Sequence, residues 1–279
     1  MGAGCAGGAA ITAPVKSDVV STESALAAAA ALVALAMAMS TYERWLTGRR
    51  RHELAWSVSL AMFFVGASAL WFGAANGWTD LTFRLFYLFG AILNVPFLAL
   101  GTAYLLGGQQ RGDRWAAIVA LGSAFAAGVV LVAPLQAAVP SERLPQGSDV
   151  FGALPRVLAA VASGAGATVV LGGAVWSAWR FWRRRGGASP VPAARLAGAN
   201  LLIAAGTLVL GAGGLFNSVL DEMQAFAVTL LVGIALLFTG FLVATTASSR
   251  PRPAVSPAPE TAGPADEDAV VGPVDAKYS

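Results

Sequence analysis

Arg84, Tyr87 and Asn94 stand out in an apolar stretch that runs from Leu81 to Leu106, and they are the residues whose types and spacing suit chemistry or binding. Asp80 and Arg84 are four residues apart, the interval at which opposite charges meet on one helical face. Arg84 has a second option, because its long stem lets the guanidinium snorkel outward. Tyr87, Asn94 and Gly101 are seven apart and share a face, with Gly90 close to it. Pro96 carries no N–H, so an α-helix through it frees the carbonyl four residues earlier, that of Ile92. A buried amide beside such a break needs partners from a neighbouring helix or from water. Two readings stay open. In one, Arg84, Tyr87 and Asn94 bind a ligand, with Asn94 the polar floor of an outward-facing cavity. In the other, the helix is kinked and held by one Asn hydrogen bond, which contributes about 0.6–2 kcal/mol. Glu142, Asp149, Arg156, Asp221 and Glu222 would form a mixed-charge rim above either.

Much other chemistry lacks its residues. Cys5 is the only cysteine and His52 the only histidine, so a Cys/His metal site has too few ligands. A bis-histidine haem is excluded for the same reason, and no cofactor is expected. No lysine lies in the apolar stretches, which removes a retinal Schiff base. No carboxylate lies near their centres, which argues against proton-coupled pumping. His52 sits in Arg49-Arg50-Arg51-His52-Glu53, where it reads as part of a basic interfacial cap. The net charge of +3 comes from arginines flanking helices and is no nucleic-acid signal; those arginines meet anionic lipid instead.

The elements that must position these side chains are transmembrane helices. A bilayer core of about 30 Å takes roughly 20 apolar residues in a helix. Seven stretches qualify: Ala25–Thr41 (reaching Tyr42 or Trp45), Ala55–Trp78, Leu81–Leu106, Trp115–Gln136, Leu154–Trp182, Ala194–Asn217 and Met223–Ser248. Strands of a membrane barrel would be about 10 residues long and alternate in polarity, unlike these. Arginines collect on alternate loops: Arg44, Arg49, Arg50 and Arg51; Arg111 and Arg114; Arg180, Arg183, Arg184, Arg185 and Arg195; Arg250 and Arg252. The opposite side holds Lys16, Arg84, Arg143 and Arg156. Positive loops stay inside, so the expected fold is an all-α seven-helix membrane bundle with its N-terminus outside and its C-terminus cytoplasmic. A cleaved signal peptide in place of the first span would need a basic leader, whereas Lys16 is followed by Asp18 and Glu23.

Three segments follow. Residues 1–23 form a disordered outer N-terminus, residues 24–248 the membrane domain, and residues 249–279 a disordered cytoplasmic tail with recurring proline and an acidic cluster at Asp266-Glu267-Asp268. Small-residue stripes suggest helix seams. They comprise Gly164, Thr168, Gly172 and Trp176; Asn200, Thr207, Gly211, Gly214 and Ser218; and Thr229, Gly233 and Gly240.

The stretch Tyr42-Glu43-Arg44-Trp45 through Trp56, with Phe83 through Pro96, resembles a group of uncharacterised actinobacterial integral membrane proteins. The seven-helix plan is also similar to the membrane input modules of bacterial sensor kinases. These resemblances imply a multi-pass protein of the cell membrane and no catalytic residue. The leading expectation is a non-enzymatic module that senses a ligand or scaffolds a membrane-protein partner within the lipid bilayer. One alternative is a transporter or channel component. Another is an enzyme acting on lipid head groups through Glu43 or Glu53 with the arginines.

Overall fold

The computed structural model describes residues 13–141, 143–183, 190–220 and 223–248. The tail 249–279, residues 1–12, and the rim residues Glu142, Asp221 and Glu222 lie outside them. Among the described residues the fold is helical, with a single antiparallel bridge between Leu135 and Phe151. Six stretches are long and apolar enough to cross a membrane: Ser24–Gly48, Arg51–Asn76, Asp80–Gly107, Gln109–Val132, Ala153–Ser177 and Phe226–Val243. A shorter apolar stretch, Gly198–Gly213, lies in the helix where the sixth of seven spans is expected.

Helix α1 (Ala13–Gly48) begins inside the segment 1–23 expected to be unstructured. It turns tightly into α2 (Arg51–Asn76). Arg49 makes that turn at φ +50°, a left-handed conformation rare for a residue with a Cβ. Its N–H donates to the Trp45 carbonyl at 2.7 Å and its guanidinium lies 5.0 Å from the centre of the Trp45 ring. The third rod is composite: α3 (Asp80–Leu85), a π-helix, π1 (Phe86–Leu93), and α4 (Asn94–Gly107). Gly108, at φ +78°, reverses the chain into α5 (Gln109–Val132). A loop holding the short α6 (Gly147–Val150) leads to α7 (Ala153–Arg183), then α8 (Pro190–Leu220) and α9 (Met223–Ser248).

The helices α1 and α2 pack as one hairpin and α8 and α9 as another. Contacts of α1 with α9, α2 with α4, α4 with α7, and α7 with α8 close these rods into a ring. Helix α5 stands outside it, against α4, π1 and α7. Only 11% of its apolar window is buried, against 50% for the third rod. Leu121 is 75% exposed and Val132 81%. A continuous apolar surface of this kind has no place in water and suits hydrocarbon.

Two cores hold the ring. One centres on Met37, Trp56, Phe63 and Phe241, toward the end carrying the Gly48–Arg51 turn, here the arginine-rich end. The other centres on Trp78, Phe83, Val130, Leu144 and Phe151 at the opposite end. The seams depend on small residues, because close backbone approach is what gives membrane helices their contact area. A Cβ on Gly206 would lie 2.8 Å from the Gly233 carbonyl, and one on Gly240 would lie 2.9 Å from that of Ala199. The stripe expected on α7 is on the wrong face. Gly164 and Gly172 have open space around them and Trp176 is 52% exposed. The α7 seam runs instead through Gly166, against Val95, and Gly173, against Thr102 and Leu106. On α8, Gly211 is likewise open, while Gly213 meets Thr229.

Candidate functional site

The third rod starts from a reciprocal cap. The Thr79 hydroxyl accepts from the Thr82 N–H at 3.3 Å, and the Thr82 hydroxyl accepts from the Thr79 N–H at 2.9 Å. Asp80 sits in this first turn, where the helix N-terminus favours a negative charge. Among the described residues no ion pair joins Asp80 to Arg84. Arg84 reaches α5 instead. Its guanidinium donates to the carbonyls of Val130, of Leu131 at 3.3 Å and of Ala133 at 2.8 Å. The last carbonyls of a helix have no partner within it, so Arg84 serves as the C-terminal cap of α5. It also lies 5.7 Å from the centre of the Phe151 ring.

Tyr87 is half-buried among aromatics, 5.0 Å from Phe151 and 5.8 Å from Phe83 between ring centres. A Cβ on Gly147 would collide with its ring. Asn94 is 7% exposed and its backbone carbonyl accepts from the Ser59 hydroxyl of α2 at 2.7 Å. Its side-chain Oδ1 is buried and has no partner among the described residues. The three residues therefore do not share one cavity. Arg84 and Tyr87 meet the folded outer loop around Phe151, and Asn94 lies at the junction of π1 with α4.

The π register explains why a seven-residue spacing misleads here. It bonds each carbonyl five residues ahead instead of four. The expected face assumed an α-helix throughout. The group left without its donor also changes. In the α register Pro96 orphans Ile92; in the i→i+5 register it orphans Ala91. The Ser163 hydroxyl of α7 donates to the Ala91 carbonyl. The Trp56 indole adds a bond to the Leu98 carbonyl at 3.3 Å. Side chains from α2 and α7 thus satisfy the backbone around the break.

On the other side of the rod lies an apolar groove of about 460 Å³ between α4, α5 and α7. That is within the span of roughly 300–1,000 Å³ common for small-ligand sites. Its walls follow helical periodicity. Helix α5 contributes Trp115, Ile118, Val119, Gly122, Ser123 and Ala126; α7 contributes Leu158, Val161, Ala162, Ala165, Gly166 and Val169. The third rod contributes Ile92, Leu93, Pro96, Ala99, Leu100 and Ala103. Ser123 is the one polar side chain among them, and Arg84, Tyr87 and Asn94 do not line the groove. Sequence reasoning missed it because α5 is apolar all round, so no face announces itself.

A polar clamp closes the arginine-rich end nearby. Arg51 bonds Asp113, and the Tyr104 hydroxyl donates to the same carboxylate oxygen at 2.8 Å. This ties the start of α2 to the α4–α5 turn. Glu53 is 8% exposed, with Oε2 buried and unpartnered among the described residues, and His52 packs edge-on to Trp56 at 5.2 Å. Glu43 is exposed. At the opposite end Arg143 and Asp149 pair at 3.8 Å and Arg156 is exposed. Among the described residues no three His, Cys, Asp or Glu side chains gather as a metal site would require. Compared with family models, with curated proteins and with solved structures, the chain finds no match in any of the three.

Proposed function

We propose that the chain is a seven-span protein of the cell membrane, N-terminus outside and C-terminus cytoplasmic, that binds an apolar or amphipathic ligand without transforming it. The groove between α4, α5 and α7 carries this reading, because it combines ligand-sized volume with a lining that holds a single polar side chain. Such a lining recognises shape and hydrocarbon and offers no acid, base or nucleophile. The orientation rests on the arginines of alternate loops. In this reading Arg84, Tyr87 and Asn94 hold the groove's walls in place from outside it.

Gly122 offers the test. It lines the groove, and a Cβ there would meet nothing within 4 Å. Gly122→Trp should fill the groove without disturbing the fold. A photoreactive apolar probe should label α5 and α7 of the wild type in nanodiscs and fail to label the variant at unchanged thermal stability. Equal labelling of both would refute the reading.

A further inference from the structure

The dimensions of the groove and the charges at one end of it identify its occupant more closely. Each wall covers eleven residue steps: Ile92 to Ala103, Trp115 to Ala126 and Leu158 to Val169. At about 1.5 Å per residue each wall is roughly 16 Å long. A bilayer core is about 30 Å thick, so the groove has the depth of one leaflet. It runs from Trp115, near the arginine-rich end, to about mid-rod at Ala126 and Ile92. Tryptophan is enriched at membrane–water interfaces, where its ring sits at head-group level.

Arg111 and Arg114 lie on the turn of α5 just beyond Trp115, and both are exposed. Neither has a hydrogen-bond or ion-pair partner among the described residues. The acidic residue between them, Asp113, is taken by Arg51 and Tyr104. The mouth of the groove therefore presents two free guanidinium groups, which suit phosphate through paired N–H donors. An apolar slot one leaflet deep that opens beneath two free arginines complements one molecular class on both counts. We infer that the groove seats one acyl chain of an anionic phospholipid from the leaflet on the arginine-rich side, with its phosphate held by Arg111 and Arg114.

This inference rests on the ligand-binding reading, and the test separates the two. The full chain is incorporated into nanodiscs of mixed phosphatidylglycerol and phosphatidylcholine, and the lipids it retains are measured by native mass spectrometry. The wild type should favour the anionic lipid by roughly 10- to 30-fold, as two arginines near a surface imply. The double variant Arg111→Gln/Arg114→Gln should lose that preference and keep labelling by the neutral apolar probe. Arg180→Gln/Arg183→Gln, on the same side but on α7, should keep the preference. Gly122→Trp, or the smaller Gly122→Leu, should lose both retained lipid and label. A wild type without head-group preference, or a double variant that retains it, overturns the inference while leaving the groove a ligand site. Undiminished labelling of Gly122→Trp and Gly122→Leu overturns the ligand-binding reading itself.

Discussion

Replacing Arg84 by methionine should release the outer end of α5. The wild-type guanidinium holds the carbonyls of Val130, Leu131 and Ala133, and α5 has little else to hold it, with 11% of its apolar window buried. A hydrogen bond to a charged group contributes about 1.5–3 kcal/mol, and a cation at a helix C-terminus about 0.3–1 kcal/mol. The guanidinium is only partly buried and water reaches helix ends, so these contributions do not add in full; a total near the low end, about 2 kcal/mol, is expected. At about 1.4 kcal/mol per tenfold, that raises the local opening constant roughly 30-fold. Hydrogen exchange on the full chain in nanodiscs reads it directly. Peptides covering 128–136 should exchange faster by that factor, while peptides from α8 and α9 should not change. Arg84→Lys, which keeps the charge and loses the fork, should fall between. Exchange indistinguishable from wild type would refute the capping role. If probe labelling vanished with exchange unchanged, Arg84 would belong to a ligand site.

Three further outcomes follow from the same rod. Asn94→Leu removes a buried oxygen that has no partner and should be neutral or stabilising by up to about 1 kcal/mol in thermal unfolding; a clear loss would mean the amide is engaged. Ser163→Ala should cost about 1 kcal/mol, and Pro96→Ala should rescue part of it by supplying the N–H that the Ala91 carbonyl lacks; additive effects in the double-mutant cycle would reject that link. Gly101→Ala should destabilise by about 1–3 kcal/mol, because its Cβ collides with the buried Trp56 indole, whereas Gly122→Ala should leave the melting temperature unchanged.

Individual residues show how far the sequence was legible. Apolar length alone located the helices, since a helix is the ordinary way to pair every backbone group in hydrocarbon. Pro96 correctly marked a break in the ladder, but the sequence carries no mark of the π register, and that register moved the orphaned carbonyl from Ile92 to Ala91. Asp80 looked like the partner of Arg84 because it is four residues away. The real partners are carbonyls on another helix, 46 to 49 residues on, which no local spacing encodes. Glycine stripes were visible on α7, but glycine faces lipid as readily as it faces a helix; Gly164 and Gly172 are open where Gly166 and Gly173 pack. Asp113 was the clue overlooked, a lone acid among the arginines of its turn and four residues from the start of α5.

The π-helix also has a consequence for how this chain tolerates length changes. Closing each loop of backbone five residues ahead stores an extra residue in the rod without lengthening any connection. Deleting one residue from Phe86–Leu93 would let an ordinary α ladder form and turn everything after it by about 100°. Gly101 would swing away from Trp56, and the Pro96–Leu100 wall would rotate out of the groove, while Arg84 and Tyr87 stayed in place. A single deletion there should therefore be more damaging than several substitutions. A compensating insertion near Val95 should restore the phase of α4.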